Sequence, residues 1–421
     1  MGRTGAGRAA GRTLAALALL FIAGRRARSD ETPSRKLTFQ AARAAAEEAA
    51  PDVTLASRRG EVVRAGIGVV SALANPILTF TTARETAAFG AGIGVPLPLF
   101  GQRSTAVEAA HSDAEAARLE VEAARGEARF GGSVAWLDLW EAQAASRLLA
   151  EAARDSARVA AIAAEKLNAG TAPRVDVLRT AADAARTRAD AELAAANIPA
   201  AAARLAMAIG ATDELAWAAE GKAALSLGEA DLMTLQHGLV DHPTLRRDQA
   251  QVMAAMAHVR AEQRLRWPTL VAELTVNFRD PTLPGTDVIG GLSFEPPVLN
   301  LRGGAIARAR AEQRLAESTT AVDVFRLKAA LVDAFGRASG AETRARVLAS
   351  EVLPSLEEVR RMTEEGYRDG RVDLLRLLDA QRAWLESRLA QVQAEASWQR
   401  ALAEIERAAG VDLERGPGGA R

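Results

Sequence analysis

The chain has 421 residues, with 53 basic and 53 acidic side chains, no cysteine, and an apolar fraction of 49% of which only a small part is aromatic. Balanced charge argues against a polyanion-binding face, so no nucleic-acid partner is expected. The absence of cysteine excludes disulfides, thiolate metal sites and cysteine-linked lipids. Apolar residues dominated by alanine, with few rings, suit long close-packed helices better than a thick globular core.

Arg3, Arg8 and Arg12 precede the apolar run from Leu14 to Ala23. That run is too short to span a bilayer as a helix and fits the core of an export signal, so residues 1–29 are read as a signal peptide. No later stretch is apolar enough for a membrane-spanning helix. A helix is expected over 37–50 and another over 52–74, stopped by Asn75-Pro76 because a residue before proline is pushed out of the helical region. Two short strands follow, 77–82 and 89–95. In the second, Phe89, Ala91, Ile93 and Val95 share one face and Gly90, Gly92 and Gly94 the other. After the corner Pro96-Leu97-Pro98-Leu99-Phe100-Gly101, the proline-free stretch 103–167 reads as one helix of about 95 Å. A turn at 168–173 leads to a return helix over 174–209 that contains Pro199. The connector 211–230, with Trp217, has no clear periodicity.

Helices over 232–238 and 243–266 then end at Trp267-Pro268. The strand 269–278 places Leu270, Ala272, Leu274, Val276 and Phe278 on one face and Thr269, Val271, Glu273, Thr275 and Asn277 on the other. A loop, a return strand over 288–295 and a proline corner lead into a helix over 302–352, which resumes after Pro354 to Tyr367. A turn around Gly370 precedes a last helix over 372–409, and the glycine-rich tail 411–421 is expected to be disordered.

The two halves repeat one order at an offset of 200 residues. The corner at Pro96 answers that at Pro296, Gly170 answers Gly370, and Gly210 answers Gly410. Residues 30–210 and 231–410 are therefore read as two copies of one unit. No catalytic constellation is found, and no enzyme activity or cofactor is expected. His111, His237, His242 and His258 lack metal-ligand spacing, and no glycine-rich phosphate loop follows a strand, so energy for any transport must come from a partner. Four strands cannot close a barrel. They make either a small soluble sheet capped by helices or one chain's share of a transmembrane barrel built by several chains.

The motifs Ala74-Asn75-Pro76, Pro96 to Arg103, Ala169-Gly170 with Val175-Asp176-Val177-Leu178, Tyr367-Arg368-Asp369-Gly370, and Leu378-Asp379-Ala380-Gln381, in this doubled order, resemble the TolC-like outer membrane factors. The resemblance covers about residues 37–410. It implies a mainly α fold with a small β part, in which duplicated long helical hairpins form an α-barrel and four strands join a homotrimeric twelve-stranded β-barrel. It further implies a barrel in outer membrane lipid, and a passive exit duct working with a periplasmic adaptor (membrane fusion) protein and an inner-membrane pump. Subgroups paired with RND pumps are the most similar, the CzcC-like heavy-metal branch included. Leu270, Leu274, Val276 and Phe278 are then the lipid-facing residues. The hairpin tips at Gly170 and Gly370 then form the periplasmic entrance. Six residues beyond each glycine stand Asp176 and Arg376, and nine beyond stand Arg179 and Asp379; the signs are exchanged, so neighbouring hairpins are expected to meet as complementary pairs. The rival reading is an exported coiled-coil scaffold or adaptor without a pore.

Overall fold

A computed structural model describes residues 35–82, 89–212, 216–228, 230–278 and 285–413. The expected signal peptide, most of the loop after Phe278 and most of the tail lie outside these residues. The strands are β1 (Arg35–Thr38), β2 (Ile77–Thr81), β3 (Phe89–Leu97), β4 (Trp217–Glu220), β5 (Thr269–Phe278) and β6 (Thr286–Glu295). The α-helices are α1 (Phe39–Ala49), α2 (Pro51–Ser71), α3 (Gln102–Asn168), α4 (Arg174–Ala208), α5 (Leu232–Gly238), α6 (Pro243–Arg264), α7 (Gly303–Val347), α8 (Leu353–Arg368) and α9 (Leu374–Ala409).

The 67 residues of α3 form a rod about 100 Å long at 1.5 Å per residue. Around it the other helices stand side by side. On the half nearer the sheet the order is α2–α3–α6–α7; on the other half it is α4–α3–α9, with α9 packed against α7 and α8. Alanine makes this closeness possible, since Ala257, Ala334 and Ala396 are wholly enclosed. Pro199 is accommodated inside an unbroken α4. By contrast, the second long helix changes form just before the break expected at Leu353-Pro354. A π-helical turn over Leu348–Val352 precedes Pro354, absorbing the hydrogen bond that proline cannot make.

Two strands were not foreseen. β1 pairs in parallel with β4 to make a separate two-stranded sheet beside the middle of the rod, so the segment 35–38 extends before α1 and the connector is partly ordered. Four residues of mixed polarity carry too little period-two signal to announce a strand. Here lies the main core: Trp136 is wholly buried, donates from its indole Nε1 to Leu37 O at 2.7 Å, and meets Phe39 edge-on at 5.3 Å. The first tail residues are not loose, because Leu413 is buried and Asp412 stands 3.7 Å from both Arg43 and Arg129.

The second sheet has the order β2-β3-β5-β6, all antiparallel. Its register stacks Leu78, Ile93, Leu274 and Gly290 in one row and Phe80, Ala91, Val276 and Val288 in another, so one face is apolar except for Thr286 at its end. The opposite face carries Thr79, Thr81, Glu273, Thr275, Asn277 and Ser293, with the three glycines of β3 between them. A Cβ at Gly92 would come within 2.6 Å of Thr79 Oγ1 and 2.8 Å of Thr275 Oγ1. The missing side chains let polar groups from both flanking strands close over β3, which favours curling toward the polar side. β2 and β6 are left as edges with unpaired backbone groups.

One buried acid ties this body to pH. Asp248 of α6 is 1% exposed. Arg247 donates to its Oδ1 at 2.6 Å, while Oδ2 has no hydrogen-bond partner. Burial and the neighbouring Asp323 carboxyl raise its pKa against the pull of Arg247. The titratable and charged groups facing the Asp248–Arg247 pair are Glu120 from α3, His242 just ahead of α6, and Asp323 and Arg326 from α7. A raised folded-state pKa means the protonated form is favoured by folding, so this contribution is present at low pH and is lost as pH rises through that pKa. Asp248→Asn is expected to raise the thermal midpoint at pH 8 more than at pH 5. Equal shifts at both pH values would contradict the assignment.

Candidate functional site

The two hairpin tips are built alike. Helices α3 and α8 both end in a glycine in the left-handed region, Gly170 at φ 73° and Gly370 at φ 75°. The following amide reaches back to close each end: Thr171 N donates to Lys166 O at 2.8 Å and Arg371 N to Gly366 O at 2.8 Å. An alanine at either glycine would cost about 1 kcal/mol from the left-handed backbone alone. Past the turns, Asp373 caps α9 by accepting from Arg376 N at 3.0 Å, and Pro173 stands just before α4.

The tips are fastened to each other by groups that sequence reading missed. Lys166 Nζ donates to Tyr367 O at 2.7 Å and lies 4.0 Å from the centre of the Tyr367 ring. Tyr367 is 6% exposed and packs with Val159, Leu374, Leu377 and Leu378. Its hydroxyl is buried without a hydrogen-bond partner; burial first, then the charge of Asp176, push its pKa up. Further along, Arg382 of α9 pairs with Asp183 of α4. Two signals were available in the chain: Tyr367 is its one tyrosine, and Lys166 occupies the repeat position where the second half has Gly366.

Of the four charges expected at the entrance, Asp176 is half-buried against Tyr367, whereas Arg179, Arg376 and Asp379 are exposed. Among the described residues no ion pair joins any two of the four within the chain; Asp379 instead acts electrostatically on Arg382. Leu270, Leu274, Val276 and Phe278 share the apolar face of β5, with Leu274 and Phe278 the more exposed. His258 contacts Asp113 at 3.0 Å, and buried His242 accepts at Nδ1 from Thr244 N and faces Arg407 O through Nε2. Among the described residues no group of three or more histidine or acidic side chains is placed to hold a metal ion. Among the described residues no helix is long and apolar enough to cross a membrane.

A wall of long paired helices crowned by an antiparallel sheet with one apolar face and two open edges defines a class of channel proteins with α-barrel bodies. The chain belongs to the outer membrane efflux protein family, whose model matches residues 34–211 and again 234–411. It is 25% identical over 357 residues to the cobalt-zinc-cadmium resistance protein CzcC of Cupriavidus metallidurans, covering 84% of this chain and 85% of that one. In fold it is similar to the transmembrane channel protein CusC, with a TM-score of 0.74 at 16% identity over 93% of this chain and 96% of that one. It is likewise similar to the CmeC outer membrane channel of Campylobacter jejuni, with a TM-score of 0.75 at 15% identity over 90% of this chain and 88% of that one.

Proposed function

We propose that three copies of this chain close into one duct and conduct substrates passively across the outer membrane, as the exit of a tripartite efflux system. The sheets join edge to edge, β6 of one copy to β2 of the next, giving twelve strands with the apolar face toward lipid. The helical body stands in the periplasm, where its tips meet an adaptor protein and, through it, an inner-membrane pump of RND type. The similarity to a cobalt-zinc-cadmium resistance protein favours divalent metal cations as the cargo. The halves 30–210 and 231–410, with the connector between them, act as two repeats of the wall, after removal of the signal 1–29.

The observation that carries this reading is a pair of unpartnered seams on the edge helices. On α2, Leu55, Val62 and Val69 recur every seven residues, and Val62 is 73% exposed. On α7, Leu315 and Val322 are followed at heptad spacing by Phe325 and Val332, and Phe325 is 75% exposed. Such a spacing is that of knobs packing into the holes of a facing helix, and among the described residues both rows of side chains stand exposed in the single chain. Gly60 lies beside Ala117, and Arg247 links Glu120 to Asp323, so Leu55 and Val62 stand level with α7 near Leu315 to Phe325. A scaffold with no pore has no need of two complementary seams at opposite edges.

Because the chain has no cysteine, the seam can be trapped cleanly. Leu55→Cys combined with Val322→Cys or Phe325→Cys, oxidised in membranes, is expected to give covalent dimers and trimers; each single variant gives monomers. Absence of the ladder for these pairs and for Val62→Cys with Leu315→Cys would overturn the assembly.

A further inference from the structure

On the side of the wall that carries β4, a cleft of about 370 Å³ opens between α3, α7, α9 and the connector. Its floor is apolar and includes Trp140 and Trp398, both of which also pack on the main core. One wall is the connector, and it is fixed: the buried Gln399 amide accepts from Leu225 N at 2.9 Å and donates to Leu225 O at 3.3 Å. The cleft is therefore held open in advance of any ligand, and its size falls in the range of small-molecule sites.

The rim is unusual. It carries Lys222, Glu342, Arg346 and Glu395. Glu395 accepts from Gln391 at 3.1 Å, but among the described residues the side chains of Lys222, Glu342 and Arg346 make no hydrogen bond or ion pair. Glu342 and Arg346 have the i,i+4 spacing that ordinarily joins two such side chains on a helix, and here they stay apart. Two anions and two cations leave the rim with no net charge. A fixed anion would meet the two carboxylates, and a fixed cation would meet Lys222 and Arg346. What suits indoles below, with both hydrogen-bond donors and acceptors above, is a neutral ring that has an apolar face and hydroxyl groups around its edge.

We propose that this cleft is a binding site for a saccharide, seated against Trp140 and Trp398 and hydrogen-bonded by Lys222, Glu342 and Arg346. The site rests on the duct reading in one respect: the extra layer of β1, β4 and α1 lies on this side of the wall, so this side faces outward to the periplasm and the bare side lines the pore. Conduction does not use it.

The test uses the full assembled protein in an amine-oxide detergent, which has no sugar headgroup. Tryptophan fluorescence is titrated with cellotriose, with N,N′,N″-triacetylchitotriose and, as a charged control, with tetramethylammonium. Saturable change with a trisaccharide is expected, with a Kd on the order of 1 mM. The double change Glu342→Ala with Arg346→Ala, on an exposed helix face, is expected to weaken it at least about fivefold with the thermal midpoint unchanged, and Trp398→Leu to remove most of the signal. The difference between the two trisaccharides tells whether the acetamido group is read. No saturation with either sugar, saturation indifferent to the rim change, or saturation with tetramethylammonium in place of sugar would overturn the assignment. Single-channel conductance of the same sample separates this failure from failure of the duct reading, since a conducting protein that ignores sugar refutes only the site.

Discussion

Leu274→Arg is expected to abolish recovery of assembled protein from outer membranes, while Thr275→Arg next to it is tolerated. Leu274 sits in the middle of β5, paired with Ile93 on one side and Gly290 on the other, on the apolar face, and it is 47% exposed in the single chain. An arginine on the lipid face of a barrel costs about 2–4 kcal/mol at the bilayer midplane and roughly 0–1 near its margins. Three copies multiply the midplane cost to roughly 6–12 kcal/mol per trimer, comparable with the whole stability of an ordinary domain. Thr275 points to the other face, over Gly92 and beside Glu273 and Asn277, where an arginine meets water and a carboxylate. The yield of heat-resistant trimer in outer-membrane fractions measures both variants. Equal losses would contradict the assignment of faces.

The second large effect is expected at the tips. Arg376→Asp should widen the entrance and raise single-channel conductance at low salt, and combining it with Asp176→Arg should restore the closed level if these two residues meet across neighbouring copies. The signs are exchanged at matching repeat positions, and among the described residues no ion pair joins any two of the four within one chain. In the proposed trimer, three copies would bring six aspartates and six arginines to one aperture, where partial exclusion of water would strengthen each pair beyond a surface contact while leaving it sensitive to salt. Arg376 is the cleaner site for reversal. Asp176 also acts on buried Tyr367, so Asp176→Arg adds a second cation near Lys166 and loosens the tip from inside the chain as well. Raising the salt to about 1 M, where the screening length falls to about 3 Å, should bring the unaltered protein toward the conductance of the variant. If both single reversals conduct like the unaltered protein at low salt, the charge ring has no gating role.

Much of the architecture was legible because it rests on local signals that repeat. The proline-free stretch of α3, the left-handed glycines at 170 and 370, and the period-two alternation of β5 each carry their structure within a few residues. The doubled spacing then fixed their order. The parallel pairing of β1 with β4 was not legible, since it joins two four-residue segments about 180 residues apart and neither alternates clearly. The tip fastening was hidden for a similar reason. Lys166 reads as an ordinary helix-end cation and Arg382 as an exposed helix charge until folding sets them against Tyr367 and Asp183. Asp248 gave no warning either, because an aspartate following an arginine on a polar helix is ordinarily solvated. Folding encloses it and brings Asp323 of α7 to its side.

The proposed duct requires that the open edges β2 and β6 be closed by other copies of the same chain. Native mass spectrometry of the protein extracted in detergent tests this most directly. The predicted result is a single species of three chains, each somewhat below the 44.3 kDa of the full sequence once the signal is removed, and conducting in a planar bilayer. A stable, monodisperse single chain that stays soluble when the detergent is withdrawn would contradict it.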